Sequence, residues 1–325
     1  MKNEEVIIEI LKENKGEFVS GEIIGDILHI SRNAIWKTIK KLEEKGYKIE
    51  KEKGKGYRLS NDVDIISSVG IKKYLNNKDI EIKIFDEIDS TNEYLKNNRN
   101  MDLNEFCIVC AKSQSLGKGR LGRSFYSPNN SGLYFSFLLK PKFDIKNSLF
   151  ITMLASVCVC RAIKRVFPQV EPSIKWVNDV YVNDKKVCGI LTEAQYNIEL
   201  NMFDYIIVGI GVNVYKPENG FPDNIKNIAT YLSNEQVYDG KNMLVAIIIN
   251  EFTYLYKNFD KWKDEIVKEY KEHSFVIGKD IEIIKGDIKK NARVIDIDNN
   301  CNLIVEFENG VKDIIQSGEI SVKVK

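Results

Sequence analysis

The stretch Ala111-Lys112-Ser113-Gln114-Ser115-Leu116-Gly117-Lys118-Gly119-Arg120-Leu121-Gly122-Arg123-Ser124-Phe125 limits the fold most sharply. It holds three glycines and four cations, with Lys118, Arg120 and Arg123 within six positions of each other. Glycine lets backbone N–H groups turn inward at low steric cost. Lysine and arginine supply charge-assisted hydrogen bonds to phosphate oxygens. Gly117 to Gly122 spells G-x-G-x-x-G, and Gly117 to Ser124 nearly spells a P-loop, with Arg123 where that motif carries Lys. Both motifs need a helix directly behind them. The residues directly behind this loop are Phe125-Tyr126-Ser127-Pro128-Asn129-Asn130-Ser131-Gly132, which is turn chemistry. A dinucleotide fold and a P-loop fold are set aside on that ground. There remains a cationic loop, fed by a strand over Phe106 to Lys112, that suits a nucleoside triphosphate or an acyl-adenylate.

A chain of 325 residues has room for two or three domains, and a 43% hydrophobic fraction supports a real core. The net charge of +1 means that any nucleic-acid surface must be local. The charged start, Met1-Lys2-Asn3-Glu4-Glu5, leads into no secretory apolar segment, and the run from Leu149 to Cys160 is too short to span a bilayer. A cytoplasmic protein without a membrane partner is expected. Cys107-x-x-Cys110 lies in what reads as a buried strand, where residues three apart face opposite sides. With His29 and His273 the only histidines, no metal site is expected, and a Ser-His or Cys-His hydrolase is disfavoured. Buried reduced thiols are expected for Cys107, Cys110, Cys158, Cys160, Cys188 and Cys301.

The first sixty residues carry their own signature. Val6, Ile7, Ile10 and Leu11 form a helical face. Ser20 caps a second helix to about Leu28, with Ile23, Ile24, Ile27 and Leu28 expected inward. His29-Ile30 turns, and Ser31 caps a third helix with Ile35, Ile39 and Leu42 on its stripe, closed by Gly46. A hairpin around Lys53-Gly54-Lys55 completes a winged helix-turn-helix. Residues 1–30 balance at −4, whereas residues 31–58, with ten basic and four acidic residues, balance at +6. That concentration is the footprint of a recognition helix in a major groove, with phosphate contacts from the wing. Ser31, Arg32, Asn33, Trp36 and Lys37 are expected to face DNA. Arg32 and Asn33 suit base edges, and Lys40 and Lys55 suit phosphate. Trp36 is equally suited to packing.

From Asn61 the pattern becomes α+β. A linking helix over Ile65 to Leu75 precedes a strand at Ile82 to Phe85 and a strand-to-helix turn at Ser90-Thr91-Asn92. Strands are expected at Gly132 to Leu139 (stopped by Pro141), Ile174 to Trp176, Val180 to Val182, Val187 to Ala194 and Tyr205 to Val214. Helices are expected at Leu149 to Phe167, Met243 to Phe259 and Asp264 to Ser274. Such an order implies one main mixed sheet. After Gly278 short alternating strands at Ile281 to Ile283, Lys290 to Ile297, Leu303 to Phe307 and Gly318 to Val324 suggest a small SH3-like β-barrel. The expected division is 1–60, a winged helix-turn-helix; 61–274, a central mixed-sheet domain; and 275–325, the SH3-like domain.

Asp89-Ser90-Thr91-Asn92, the cationic loop, Lys175-Trp176-Val177-Asn178-Asp179, Lys186-Val187-Cys188-Gly189-Ile190-Leu191 and Gly209-Ile210-Gly211-Val212-Asn213 occur in this order. Together they resemble the biotin protein ligase family over roughly residues 62–325. With the N-terminal segment included, the chain resembles the bifunctional biotin protein ligases that are also biotin operon repressors. Val177 stands where the family usually has Pro, and Lys118 where many members carry Arg; neither change removes a charge.

The resemblance implies ATP and biotin as substrates with Mg2+, and two reactions: biotin's carboxylate attacks the α-phosphate of ATP, then an acceptor lysine attacks the mixed anhydride. It implies as partners a biotin carboxyl carrier protein, operator DNA and a second copy of the chain in an adenylate-bound homodimer. Lys186 is expected as the central cation, with Arg120, Lys118 and Asp179 beside the chemistry. Biotin is expected on Ser90, Thr91, Asn92, Gln114, Lys118, Gly119, Arg120, Lys186 and Gly189. Ser90-Thr91-Asn92 is equally a helix cap, and the two roles coexist. The nucleotide is expected on Gly117, Arg123, Lys175, Trp176, Asn178 and Asn213, with Asn178 and Asp179 orienting either Lys186 or a Mg2+-bound phosphate. Loop 114–124 is expected to be mobile when empty and ordered over the adenylate. Alternatives are a ligand-sensing transcription factor without ligase activity and a lipoate-type ligase.

Overall fold

The computed structural model describes residues 3–14, 16–44, 47, 49–60, 64–98, 106–140, 148–197, 199, 202–285, 288–316 and 319–322. The expected helix stop at Gly46 and strand stop at Pro141 lie outside these residues. The chain divides into two compact units, Met1–Tyr74 with Glu235–Met243, and Leu75–Asn234 with Leu244–Lys325.

In the first unit, α1 (Asn3–Glu13), α2 (Gly21–Leu28) and α3 (Arg32–Glu44) precede a hairpin of β1 (Ile49–Glu52) and β2 (Gly56–Leu59) and a short α4 (Ser68–Tyr74). Ser20 caps α2 by accepting from the Ile23 amide at 3.2 Å, and His29 ends it in the left-handed region, with φ 52°. Ser31 caps α3 in the same way through the Ala34 amide at 3.3 Å. These caps pin the α2–α3 turn, and Ile7, Leu11, Ile24, Ile35 and Ile39 fill the core beneath it. The expectation for α2 needs one correction. Ile23 and Ile27 are about half exposed, at 52% and 53%, and Ile24 is the buried residue. At 100° per residue an eight-residue helix turns one narrow stripe inward, and the Ile23–Ile27 stripe lies beside it.

The second unit is built on a seven-stranded sheet in the order β3-β4-β5-β9-β8-β7-β6. Its strands are β3 (Glu81–Ile88), β4 (Phe106–Gln114), β5 (Gly132–Leu139), β6 (Ser173–Lys175), β7 (Asp179–Val182), β8 (Lys185–Asn197) and β9 (Met202–Asn213). β3 and β4 pair in parallel and the other neighbours antiparallel, so the sheet is mixed. The helix α5 (Thr91–Asn97) packs Leu95 over Cys107, Val109 and Ile207. The helices α6 (Ser148–Val166), α7 (Gly240–Lys257), which belongs to this unit from Leu244 onward, and α8 (Phe259–His273) complete the unit. Phe252 of α7 meets Phe137 of β5 at 4.8 Å between ring centroids. Burial on both faces explains why β4 and β5 read as continuous apolar runs. All six cysteines are buried free thiols, and burial pushes Cys107 up to about 11. Asn183 and Asp184, at φ 50° and 61°, make the two-residue turn between β7 and β8.

The C-terminal segment folds as a five-stranded antiparallel sheet in the order β13-β12-β11-β10-β14. These are β10 (Asp280–Lys285), β11 (Ile288–Ile297), β12 (Leu303–Phe307), β13 (Lys312–Ile315) and β14 (Glu319–Val322). β13 went unread in the sequence because three of its four residues are exposed, which removes the alternation that marks a strand.

Candidate active site

Two adjoining clefts open at one end of the seven-stranded sheet. Gly119, Arg120, Phe125, Asn178 and Lys186 line both, so the compartments meet at these five residues. The first cleft, about 460 Å³, runs to an uncharged polar end formed by Ser90, Thr91, Asn92 and Gln114. The second, about 1090 Å³, reaches Arg123, Lys175, Trp176, Asp179 and Asn213.

The floor of the first cleft is glycine backbone with the Phe125 ring laid against it. Gly189 of β8 and Gly211 of β9 face each other across the ladder. A Cβ on Gly211 would lie 2.5 Å from the Phe125 ring, and one on Gly189 would lie 3.1 Å from Lys186 Nζ. The ring and the ammonium occupy the space that side chains would take. Ser90, Thr91 and Asn92 are buried at the start of α5 and line the first cleft, and Ser90 is the N-cap of that helix. Gln114 at the end of β4 accepts from the Thr91 amide at 2.9 Å and donates to Ser127 Oγ at 3.0 Å.

The cationic loop folds as a small hairpin tip. Phe125 N donates to Gly117 O at 2.8 Å and Gly119 N to Arg123 O at 2.7 Å, around a single 3-10 turn at Arg120–Gly122. Gly117 lines neither cleft. It is needed instead for close packing, because a Cβ there would meet Phe125 O at 2.4 Å. Lys118 lines the first cleft and pairs with Glu93 of α5 at 2.7 Å. The Lys118 hydrogen bond holds the Glu93 carboxyl below the ordinary carboxylate range, and the same bond raises Lys118.

Lys186 and Arg120 sit at the junction. Lys186 Nζ lies 2.7 Å from Asp179 Oδ1 and 6.0 Å from the Phe125 ring centroid. Asp179 Oδ1 is buried and takes no hydrogen bond of good geometry, so the contact is an ion pair at an unfavourable angle. The Lys186 backbone is bracketed by residues 228–230, accepting from Thr230 N and donating to Ile228 O at 2.9 and 2.8 Å. Arg120 donates to Asn178 Oδ1 at 3.0 Å, and Asn178 Nδ2 donates to Ile190 O at 2.9 Å. Trp176 is 4% exposed, and its indole donates to Cys301 O at 2.7 Å. The Tyr270 hydroxyl donates to Val177 O at 3.1 Å; the Trp176–Val177 peptide is cis. The turn carrying Asn178 is thus held from two sides. Asn213 donates to Thr230 O at 3.0 Å.

Seven contributors were missed in the sequence. Phe221, Ile225 and Ile228 wall the second cleft; their near-helical spacing was a readable signal. Ile320 reaches the same cleft from β14, and nothing local announces it. Glu193 and Ser136 touch the polar end from behind, and Glu93 holds Lys118.

The expected DNA-facing residues lie apart from this cleft in sequence, in the first unit. Ser31, Arg32, Asn33, Trp36, Lys37 and Lys40 are exposed, on or beside the outer face of α3. Trp36 is 51% exposed, with Lys40 Nζ 5.8 Å from its ring, so packing in the core is not its role. Lys55 is exposed in the β1–β2 turn and pairs with Glu52 at 2.8 Å.

The biotin/lipoate A/B protein ligase family matches residues 84–213, an HTH domain residues 3–58, and the biotin protein ligase C-terminal domain residues 276–323. The bifunctional ligase/repressor BirA of Bacillus subtilis is 30% identical over 313 residues, 95% of each chain. That of Escherichia coli is 26% identical over 310 residues, 95% of this chain and 94% of the relative. Among solved structures, the biotin protein ligase from Aquifex aeolicus in complex with biotin and ATP aligns with a TM-score of 0.63 at 29% identity, covering 75% of this chain and 99% of that one. With its sheet, its two-compartment cleft and its N-terminal helix-turn-helix in place, the chain belongs to the family of the bifunctional ligase/repressor BirA.

Proposed function

We propose that this chain is an ATP-dependent biotin protein ligase that forms biotinyl-5′-AMP, passes the biotinyl group to a lysine of a biotin carboxyl carrier protein, and represses biotin genes while holding the adenylate. The supporting observation is the meeting, at Lys186 and Arg120, of a compartment with an uncharged polar end and a cationic one. Biotin lies in the first compartment with its ureido head at Ser90, Thr91, Asn92 and Gln114, and Lys118, Gly119 and Gly189 flank it. ATP lies in the second, with Arg123 and Lys175 toward phosphate and Trp176, Asn178 and Asn213 toward the nucleoside. Gly117 serves through the shape of the loop.

Both substrates are anions, and the protein's task is to hold them together and dry. A carboxylate oxygen of biotin attacks the α-phosphorus, the bond to the β-phosphate oxygen breaks, and pyrophosphate leaves. Lys186 and Arg120 offset the negative charge that gathers at the junction. The acceptor's neutral amine then attacks the acyl carbon, AMP leaves, and the amine's proton passes to solvent. Asp179 holds Lys186 at the junction. Among the described residues no group of three or more potential ligands could hold a metal, and Asp179 is the only carboxylate lining the second cleft. Such a site fits a Mg2+ that arrives on the nucleotide's phosphates, where it screens their charge, rather than a resident ion in a protein cage.

The domains are read as 1–60, a winged helix-turn-helix for operator DNA; 61–274, the catalytic domain; and 275–325, an SH3-like barrel. Loop 114–124 orders over the adenylate, and the adenylate-bound chain forms a homodimer that places two α3 helices on a palindromic site. The protein works in the cytoplasm; among the described residues no helix is long and apolar enough to cross a membrane. Incubation with ATP, Mg2+, labelled biotin and a carrier domain is expected to place label on the carrier lysine. Binding of biotin without transfer would leave a ligand-sensing regulator and sink the ligase.

A further inference from the structure

Behind the polar end of the first cleft run two rows of hydrogen bonds, one ending at Thr91 and one at Gln114, each with only one self-consistent direction. Asn92 Nδ2 lies 2.8 Å from Glu193 Oε2 and 3.4 Å from Leu191 O. Asn92 Oδ1 accepts from Ser136 Oγ at 2.6 Å. Ser136 Oγ lies 2.6 Å from Thr91 Oγ1. Thr91 Oγ1 lies 3.2 Å from Gln114 Oε1, which also accepts from the Thr91 amide. Gln114 Nε2 donates to Ser127 Oγ, which donates to Phe125 O at 2.9 Å.

An ionised carboxylate only accepts, so Glu193 forces the amino end of Asn92 toward itself and the carbonyl end toward Ser136. Ser136 has one proton, and it goes to Asn92 Oδ1. Ser136 must then accept the Thr91 proton, which is the shorter of the two contacts open to Thr91. At the other end, Phe125 O takes the Ser127 proton, so Gln114 must donate to Ser127 and turn its carbonyl toward Thr91. Thr91 Oγ1 and Gln114 Oε1 are left as two fixed acceptors at the cleft. The backbone leaves room for the row ending at Thr91: a Cβ on Gly209 would lie 2.1 Å from Asn92 Oδ1. Ser136, in the middle of that row, is fully buried.

We propose that Glu193 is a positioning residue that orients Asn92, Ser136 and Thr91 so that the cleft presents acceptors to the ring N–H donors of a cyclic urea. It touches no substrate; it lies one side chain behind the cleft and acts through Asn92. Without it only the long 3.4 Å contact to Leu191 O holds the Asn92 amide; the amide turns over, the row reverses, and Thr91 presents a proton where the ligand also has one. A buried donor facing a donor loses the bond and leaves both groups unsatisfied. The inference rests on the reading of this cleft as the biotin site.

The test compares full-length wild type, Glu193→Leu, Glu193→Gln and Ser136→Ala, each checked for wild-type melting behaviour. Calorimetry measures binding of biotin and of a cyclic-carbamate analogue in which oxygen replaces one ring N–H, and steady-state assays give KM for ATP. Wild type is expected to prefer biotin. Glu193→Leu is expected to shrink that preference by about tenfold or more, the scale of one misdirected buried hydrogen bond, with KM for ATP unmoved. Glu193→Gln, whose carbonyl still accepts, is expected to retain most of the preference, and Ser136→Ala to lose it as Glu193→Leu does. General loosening of the fold would weaken both ligands alike and leave the ratio intact. A ratio unchanged in Glu193→Leu or in Ser136→Ala, with biotin still bound, overturns the relay alone. Should Glu193→Leu fail to fold, Ser136→Ala decides. A wild type that binds neither compound overturns the biotin reading and the relay together.

Discussion

Cations gather in two places in this molecule, and they are held in opposite ways. In the cleft, Lys186 is tied to Asp179, Lys118 to Glu93 and Arg120 to Asn178, each within 3.0 Å. On α3, Arg32 and Lys37 stand in solvent, and the ion pair of Arg32 with Glu22 is 3.7 Å long between two exposed side chains. Fixed cations suit a site where small charged atoms must be stabilised without reorganisation. Long solvated ones suit a polyanion whose counterions they displace. The contrast shows that the same residue types answer to two tests: geometry in the cleft, salt dependence on the helix.

The largest expected effect is on the cleft side. Lys186→Ala should lower ATP–pyrophosphate exchange by about 100-fold or more, since removing one preorganised donor costs about 3–4 kcal/mol, with melting unchanged. Full exchange in that variant would remove Lys186 from the chemistry. Next is Gly211→Ala, whose Cβ would lie 2.5 Å from the Phe125 ring. The ring must shift, and biotin affinity should fall about tenfold, the lower range of an overpacking strain; unaltered affinity in a titration would mean that Phe125 is not part of the floor. On the helix side, Lys37→Ala should weaken operator binding evenly across sequences and reduce the slope of log K against log salt by about one, while carrier labelling stays as in wild type. An unchanged slope would show that Lys37 does not reach phosphate.

Legibility in the chain divides along the same line. The loop, the Ser90-Thr91-Asn92 turn and Lys186 were readable because glycine, charge and capping chemistry are local signals. The helix-turn-helix was readable from stripes and caps, yet Ile23 and Ile27 were misplaced, because a two-turn helix offers too few residues to fix the edge of its buried stripe. The unread parts are relations across the fold. Asn92 and Glu193 are 101 residues apart in sequence, and Trp176 and Cys301 are 125 apart. Nothing in either local pattern says that they meet. Likewise the side chains that fill the space at Gly209 and Gly211, Asn92 and Phe125, come from elsewhere in the chain.

The smallest expected effect asks whether a cleft cation is truly held. The Lys118 bond keeps Glu93 below its ordinary range, so the pair's contribution is fully present above the ordinary carboxylate pKa and is lost only as pH falls through the depressed one. Lys118 is raised, so its contribution is complete below the ordinary lysine pKa and disappears only as pH climbs through the raised value. Between about pH 6 and pH 9 neither limit is crossed. Cleavage at Lys118 and Arg120 by a trypsin-like protease, corrected for the protease's own pH profile, should therefore be flat over that window in the ligand-free wild type. Lys118 is about half exposed and screened, so the bond is a weak one, and Glu93→Gln should speed cleavage only a few-fold, about the scale of a surface pair. A marked slope in the wild type within that window, or identical cleavage in Glu93→Gln, would place Lys118 with the solvated cations of α3 rather than with the held cations of the cleft.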